Sequence, residues 1–192
     1  MTVEVLPPAY VAKAGLSAHD VTTHGRYFRP LSPMLLGPVM LYDGLWSRTM
    51  ENAWQYAKLY PGHADNAAAD PWPTAGYWTW ARAGWDSQRA ERYPMGRGAR
   101  PLYSLWAGEH LGYVAARRRI YIPLYAQAVR FYQARLLGTL RQQAATSVGL
   151  VIQDFDAYDR RALGYSWDDV INDPDRKMGH GFVLAMMIEG IL

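Results

Sequence analysis

LSPMLLGPVMLYDGLWSRTMENAWQYAKLY, residues Leu31 to Tyr60, is the stretch whose reading decides the fold. It opens extended, with Val39 and Leu41 apolar at alternating positions beside Tyr42, and turns at Asp43-Gly44. A helix follows, predicted to run from Thr49 to Tyr60 and to stop at Pro61-Gly62. Thr49 can cap it, and Glu51 falls in the first turn, where the partial positive charge of a helix start favours an acid. At about 100° per residue, Glu51, Gln55 and Lys58 fall within one narrow arc. Met50, Ala53, Trp54, Ala57 and Tyr60 make an apolar arc that needs a core to face. A Glu…Lys row at this spacing is ordinarily a solvated face, worth about 0.2–0.5 kcal/mol per pair. A carboxylate, an amide and an ammonium at the edge of an apolar stripe can also line a pocket.

Composition narrows the class. With 192 residues, half of them hydrophobic, the chain can bury a sizeable core and reads as an arm at 1–24 followed by a single domain at 25–192. No run approaches the roughly 18 apolar residues needed to span a bilayer, so no membrane partner is expected. The start, MTVEVLPPAY, lacks the basic and apolar regions of a secretory signal, and a cytoplasmic location is expected. The chain has no cysteine, which excludes disulfides and thiolate chemistry. A net charge of +3 is far from the footprint of a dedicated nucleic-acid binder. The basic residues are mostly arginine, the lysines being Lys13, Lys58 and Lys177. Aromatics reach 14%, with 8 Trp and 14 Tyr, enough to build a core and leave a few rings for a planar ligand.

Outward from the central stretch, the arm carries Pro7-Pro8 and reads as irregular up to the turns around His24 to Pro30. Arg26 and Arg29 precede Leu31-Ser32 and could reach a phosphate; two loop arginines in water are the plain alternative. His63 to Trp72 reads as an exposed, alanine-rich connection. Pro73-Thr74 starts a second helix, predicted through Tyr93, in which Trp78, Arg82 and Trp85 follow at helical steps as packing. Gly84 weakens that helix by about 1 kcal/mol relative to alanine. The break Pro94 to Pro101 mixes Gly96 and Gly98 with Arg97 and Arg100, without the spacing of a P-loop or a dinucleotide fold.

From Glu109 to Ala144 the periodicity is helical in two pieces. Tyr113, Arg117, Ile120 and Leu124 share a face, and Pro123 should kink or break the helix. Arg117, Arg118 and Arg119 point in three directions, so at most one or two can face a pocket. Leu150 to Ile152 is a short strand or a buried connector. Asp154, Asp156 and Asp159 follow it, without the pattern of a calcium loop. Ser166 can cap a short helix at Trp167–Ile171, and Lys177 to Met187 reads as a buried terminal helix. His180 is the histidine best placed for proton transfer, although its glycine neighbours suit a capping or core role equally. Helices with minor strands imply a mainly α domain.

The series Asp43-Gly44, Trp46, Thr49-Met50-Glu51-Asn52, Trp54-Gln55 and Lys58-Leu59 resembles the motif of the NADAR family, the YbiA-like N-glycosidases. There an Asp-Gly turn precedes an aromatic, then Glu-His-aromatic-aromatic-Gln and a Lys-aromatic pair. Here Asn52 replaces the family's His, and Pro33-Met34 stands where the family continues Leu-Ser with Asn-Phe. Gly96-Arg97 ahead of Trp106 matches a family Gly-Arg and Trp, and Asp156 or Asp159 matches an acid that the family follows with Trp-Gly, a pair absent here. The resemblance implies a single-domain, YbiA-like, mostly helical fold. It also implies hydrolysis of an N-glycosidic bond to a (phospho)ribosyl or ADP-ribosyl group. Glu51 and Asp156 would then be catalytic, and Lys58, Gln55, Arg97, Trp106, Trp46 and Arg26 would bind the substrate. Such chemistry needs no metal and no organic cofactor. The expected partner is a small ribose-phosphate or ADP-ribosyl compound, with nucleic acid left open and the oligomeric state unspecified. A catalytically altered nucleotide- or nucleic-acid-binding module on the same fold is the alternative.

Overall fold

In the computed structural model, which describes residues 2–65 and 70–192, helices take 43% and strands 14% of the chain. This is an α+β fold with several small sheets, which corrects the expectation of a mainly α, YbiA-like helical domain. The short apolar run Leu150 to Ile152, expected as a strand or a buried connector, pairs as a strand, and so do other segments of two to four residues. The chain divides into two compact units: one made of the segment up to Leu36 together with Tyr125–Leu192, the other of Gly37–Leu124. No helix among the described residues is long and apolar enough to cross a membrane.

The first unit begins with β1 (Val3–Leu6), α1 (Pro8–Ala14) and β2 (His19–Asp20), so the expected irregular arm is ordered structure. Val3 and Val5 point into the core, as alternation along a strand requires.

The second unit opens with a hairpin of β3 (Val39–Met40) and β4 (Trp46–Ser47), antiparallel across Asp43 and Gly44. Both turn residues take positive φ, 49° and 75°, which is the hairpin geometry that Asp-Gly favours. Then come α2 (Met50–Gln55), β5 (Lys58–Leu59) and the short ladder of β6 (Ala64–Asp65) with β7 (Trp72–Pro73). The alanines at 67–69 of the expected connection, with Asn66, lie outside the described residues. Next is α3 (Ala75–Asp86), whose Gly84 has a packing reason: a Cβ there would come within 2.0 Å of the Tyr56 ring. β8 (Tyr103–Trp106) lies between β5 and β9 (Glu109–Leu111), antiparallel to both. α4 (Tyr113–Ala116) runs into a π turn at Arg117–Tyr121 and then α5 (Ile122–Tyr132). Pro123 therefore does not break the helix. The spiral widens ahead of it, Ile122 N–H reaching the Arg117 carbonyl five residues back, and so relieves the crowding that proline imposes.

The remainder of the first unit is α5 from Tyr125 onward, α6 (Ala134–Thr146), β10 (Leu150–Gln153), α7 (Trp167–Asn172) and α8 (His180–Glu189). β10 is the central strand of a parallel sheet, paired with β1 from Val3↔Leu150 to Leu6↔Gln153 and with β2 on its other edge. α8 is buried from His180 to Ile188, as expected of a helix that is apolar all round. The Arg141 guanidinium donates to the Met187 carbonyl at 2.8 Å and satisfies one of the carbonyls left over at its end. Glu189 accepts from Val3 N–H at 2.8 Å and from Trp167 Nε1 at 2.7 Å, tying α8 to β1 and α7.

Candidate functional site

Thr49 starts α2 as its sequence position suggests, its hydroxyl accepting the Asn52 N–H at 3.1 Å. The helix ends at Gln55, five residues earlier than predicted, because Lys58 and Leu59 pair with Ser104 and Tyr103 of β8. Lys58 nevertheless rejoins the row. Its Nζ donates to Gln55 Oε1 at 2.6 Å, and Gln55 Nε2 donates to Glu51 Oε1 at 2.9 Å. The ammonium can only donate and the carboxylate accepts, so the amide has a single orientation that serves both. Glu51 and Gln55 are each 8% exposed, which rules out the solvated-face reading. Inside a protein, bonds in such a chain polarise one another, and the cation at one end supports the anion at the other.

Aromatic side chains flank the row. Lys58 Nζ lies 4.8 Å from the Trp54 ring centre, and Trp54 packs against Tyr121 with centroids 5.1 Å apart. Asn52, in the same turn as Glu51, has a different task. Its side chain donates to the Arg89 carbonyl at 2.9 Å and accepts the Glu91 N–H at 2.9 Å, holding the segment after α3 out of helix. The helix predicted through Tyr93 thus stops at Asp86. Burial, the hydrogen bond to Glu91 and the Glu91 charge push the Tyr56 phenol up to about 12. Tyr42 is likewise pushed up to about 12, by burial and then the charge of Asp43, with Arg82 opposing.

Of the other expected site residues, Trp46, Trp106 and Arg97 share the second unit with the row. Trp46 is 54% exposed on β4. Trp106 is half-buried at the end of β8, edge-on to Tyr42 at 4.8 Å. Arg97 stands on an exposed turn, its guanidinium 5.6 Å from the Tyr93 ring centre. Arg26 and Asp156 belong to the first unit. Arg26 is exposed, and the Asp156 carboxylate lies 3.7 Å from Lys177 Nζ.

The three acids after β10 do not converge. Asp154 accepts the Gly181 N–H at 2.9 Å and faces His180 Nδ1 at 3.3 Å, while Asp159 accepts from the N–H groups of Arg161 and Ala162. His180 directs Nε2 to the Val21 carbonyl at 2.9 Å, so both of its nitrogens are engaged in holding the first unit together. Its flanking glycines exist for Asp154: a Cβ on Gly179 would sit 2.1 Å from the Asp154 carboxylate.

Sequence reasoning passed over Arg117, which is 1% exposed with its guanidinium 4.2 Å from the Tyr113 ring centre. The signal was an arginine on the face shared by Tyr113, Ile120 and Leu124; its two arginine neighbours, both exposed, obscured it. Compared with protein-family models, with curated proteins and with solved structures, the chain has no significant match in any of the three.

Proposed function

We propose that the protein is an N-glycosidase that hydrolyses the C–N bond between a (phospho)ribosyl or ADP-ribosyl group and a base or amine. The observation that carries this reading is the chain Glu51–Gln55–Lys58, buried at Glu51 and Gln55, in which a carboxylate and a cation are joined through one oriented amide. As the C–N bond breaks, positive charge grows on the ribose ring, and a fixed carboxylate stabilises it far better than water does. In this mechanism Glu51 also takes a proton from the attacking water, whose oxygen bonds to the anomeric carbon as the base leaves with its electron pair. Lys58 supplies a cation for the ribosyl phosphate. The motif resemblance centred on Glu51 supports the same assignment. A cytoplasmic setting suits a chain without cysteine.

Asn52 favours a second reading. Where the resembled family has a titratable His, this chain has an amide bonded to the backbone on both sides, as in a module that binds nucleotides without cleaving them. Incubation with ribose 5-phosphate N-glycosides and with ADP-ribosyl-guanosine decides between the two. Release of free base by the wild type, abolished in Glu51→Gln, is the enzyme's result. Tight binding without release is the module's.

A further inference from the structure

The contacts that lead away from the Glu51 row end on an exposed ring. Lys58 lies against Trp54, Trp54 meets Tyr113 with centroids 6.4 Å apart, and Arg117 lies against the same tyrosine at 4.2 Å. The tyrosine is 43% exposed, whereas the guanidinium beneath it is buried. The helix departs from α geometry at this very residue. Such π turns inside helices are frequent at functional sites. A cation held against an aromatic ring fixes the ring's tilt and leaves the rest of it as a pre-ordered flat surface.

We infer that Tyr113 is the stacking surface for the heteroaromatic base of the ribosyl substrate, and that Arg117 is the positioning residue beneath it. This rests on the N-glycosidase reading for the identity of the ring. Lys58 and Tyr113 both touch Trp54, so a ligand that presents its phosphate to Lys58 carries its base toward Tyr113.

The test uses two probes, adenosine 5′-phosphate and ribose 5-phosphate, which differ by the ring. Binding is measured by calorimetry in a Glu51→Gln background to prevent turnover. Tyr113→Ala is expected to weaken adenosine 5′-phosphate by about tenfold to a hundredfold, the usual effect of one base stacked on one aromatic. Ribose 5-phosphate should bind unchanged, and Tyr113→Phe should stay within about twofold of its parent. Arg117→Lys should lower affinity for the ring-bearing probe alone, whereas general damage to the fold would lower both. Equal affinity after Tyr113→Ala, an equal loss for both probes, or no binding of adenosine 5′-phosphate before substitution would each overturn the inference. The two readings fail separately. Ring-selective loss in a protein that never releases base removes hydrolysis and keeps the stacking surface; Glu51-dependent release with no effect of Tyr113→Ala does the reverse.

Discussion

In the first unit, the buried His180–Asp154 pair is anchored on the main chain at both ends. His180 reaches the Val21 carbonyl, Asp154 takes the Gly181 N–H, and the Tyr125 hydroxyl donates to the Leu31 carbonyl at 2.8 Å. In the second unit, Ser47 and Tyr77 also donate to carbonyls, but one row of side chains bonds to itself: Lys58 to Gln55 and Gln55 to Glu51. Side chain to side chain bonds are the minority class in proteins, about 10–15% of the total. A polar group tied to backbone is holding the fold. A row of side chains bonded to one another in a core points to chemistry. Asn52 and Glu51 draw the same line within a single helical turn.

The sharpest way to break this comparison is Glu51→Gln. Turnover should fall by about 10²- to 10⁴-fold, the range of general base assistance, with circular dichroism and Tm close to wild type. Retained turnover would move the chemistry elsewhere. Asp154→Ala should show the opposite profile. Stability should drop by about 1–3 kcal/mol for each buried group left without its partner, read as a lower denaturant midpoint, while turnover per folded molecule is kept. Gly84→Ala should cost about 1–3 kcal/mol by forcing a methyl into the Tyr56 ring. Thr49→Ala, which removes only the cap of α2, should cost about 1 kcal/mol.

pH sharpens the contrast most gently. Tyr56 has a folded pKa near 12, above the ordinary 10, so the stability it contributes is complete below pH 10 and is lost as pH rises from 10 toward 12. Tyr56→Phe should flatten that alkaline slope in a denaturant series. His19 in the first unit is lowered by burial from its ordinary 6.5. The folded state then binds fewer protons than the unfolded one, and stability falls as pH drops below 6.5. His19→Gln should flatten the acid slope and leave the alkaline one unchanged.

Local signals were legible in the sequence wherever one residue decides the outcome. Thr49 and Thr74 open helices by capping them, and Asp43-Gly44 turns a hairpin. Element ends were not legible, because distant residues set them: β8 draws Lys58 out of the helix, and the Asn52 side chain stops α3. The strand at Val3–Leu6 was hidden for the same reason, since its partner β10 lies nearly the whole chain away. Glu51, Gln55 and Lys58 were legible as a row by helical spacing, although the third reaches it from a strand. Tyr113 and Arg117 were passed over, although helical spacing sets Arg117 alone of the three arginines on the apolar face with Ile120 and Leu124.

The widened turn at Arg117–Tyr121 makes this part of the chain intolerant of length change in a particular way. Removing one residue between them would let an ordinary spiral form, but everything on one side would rotate by about 100° relative to the other. Either Tyr113 and Arg117 would turn together away from Trp54 or Leu124 would leave the core. A homologue that lacks the extra residue should therefore present a different side chain to Trp54.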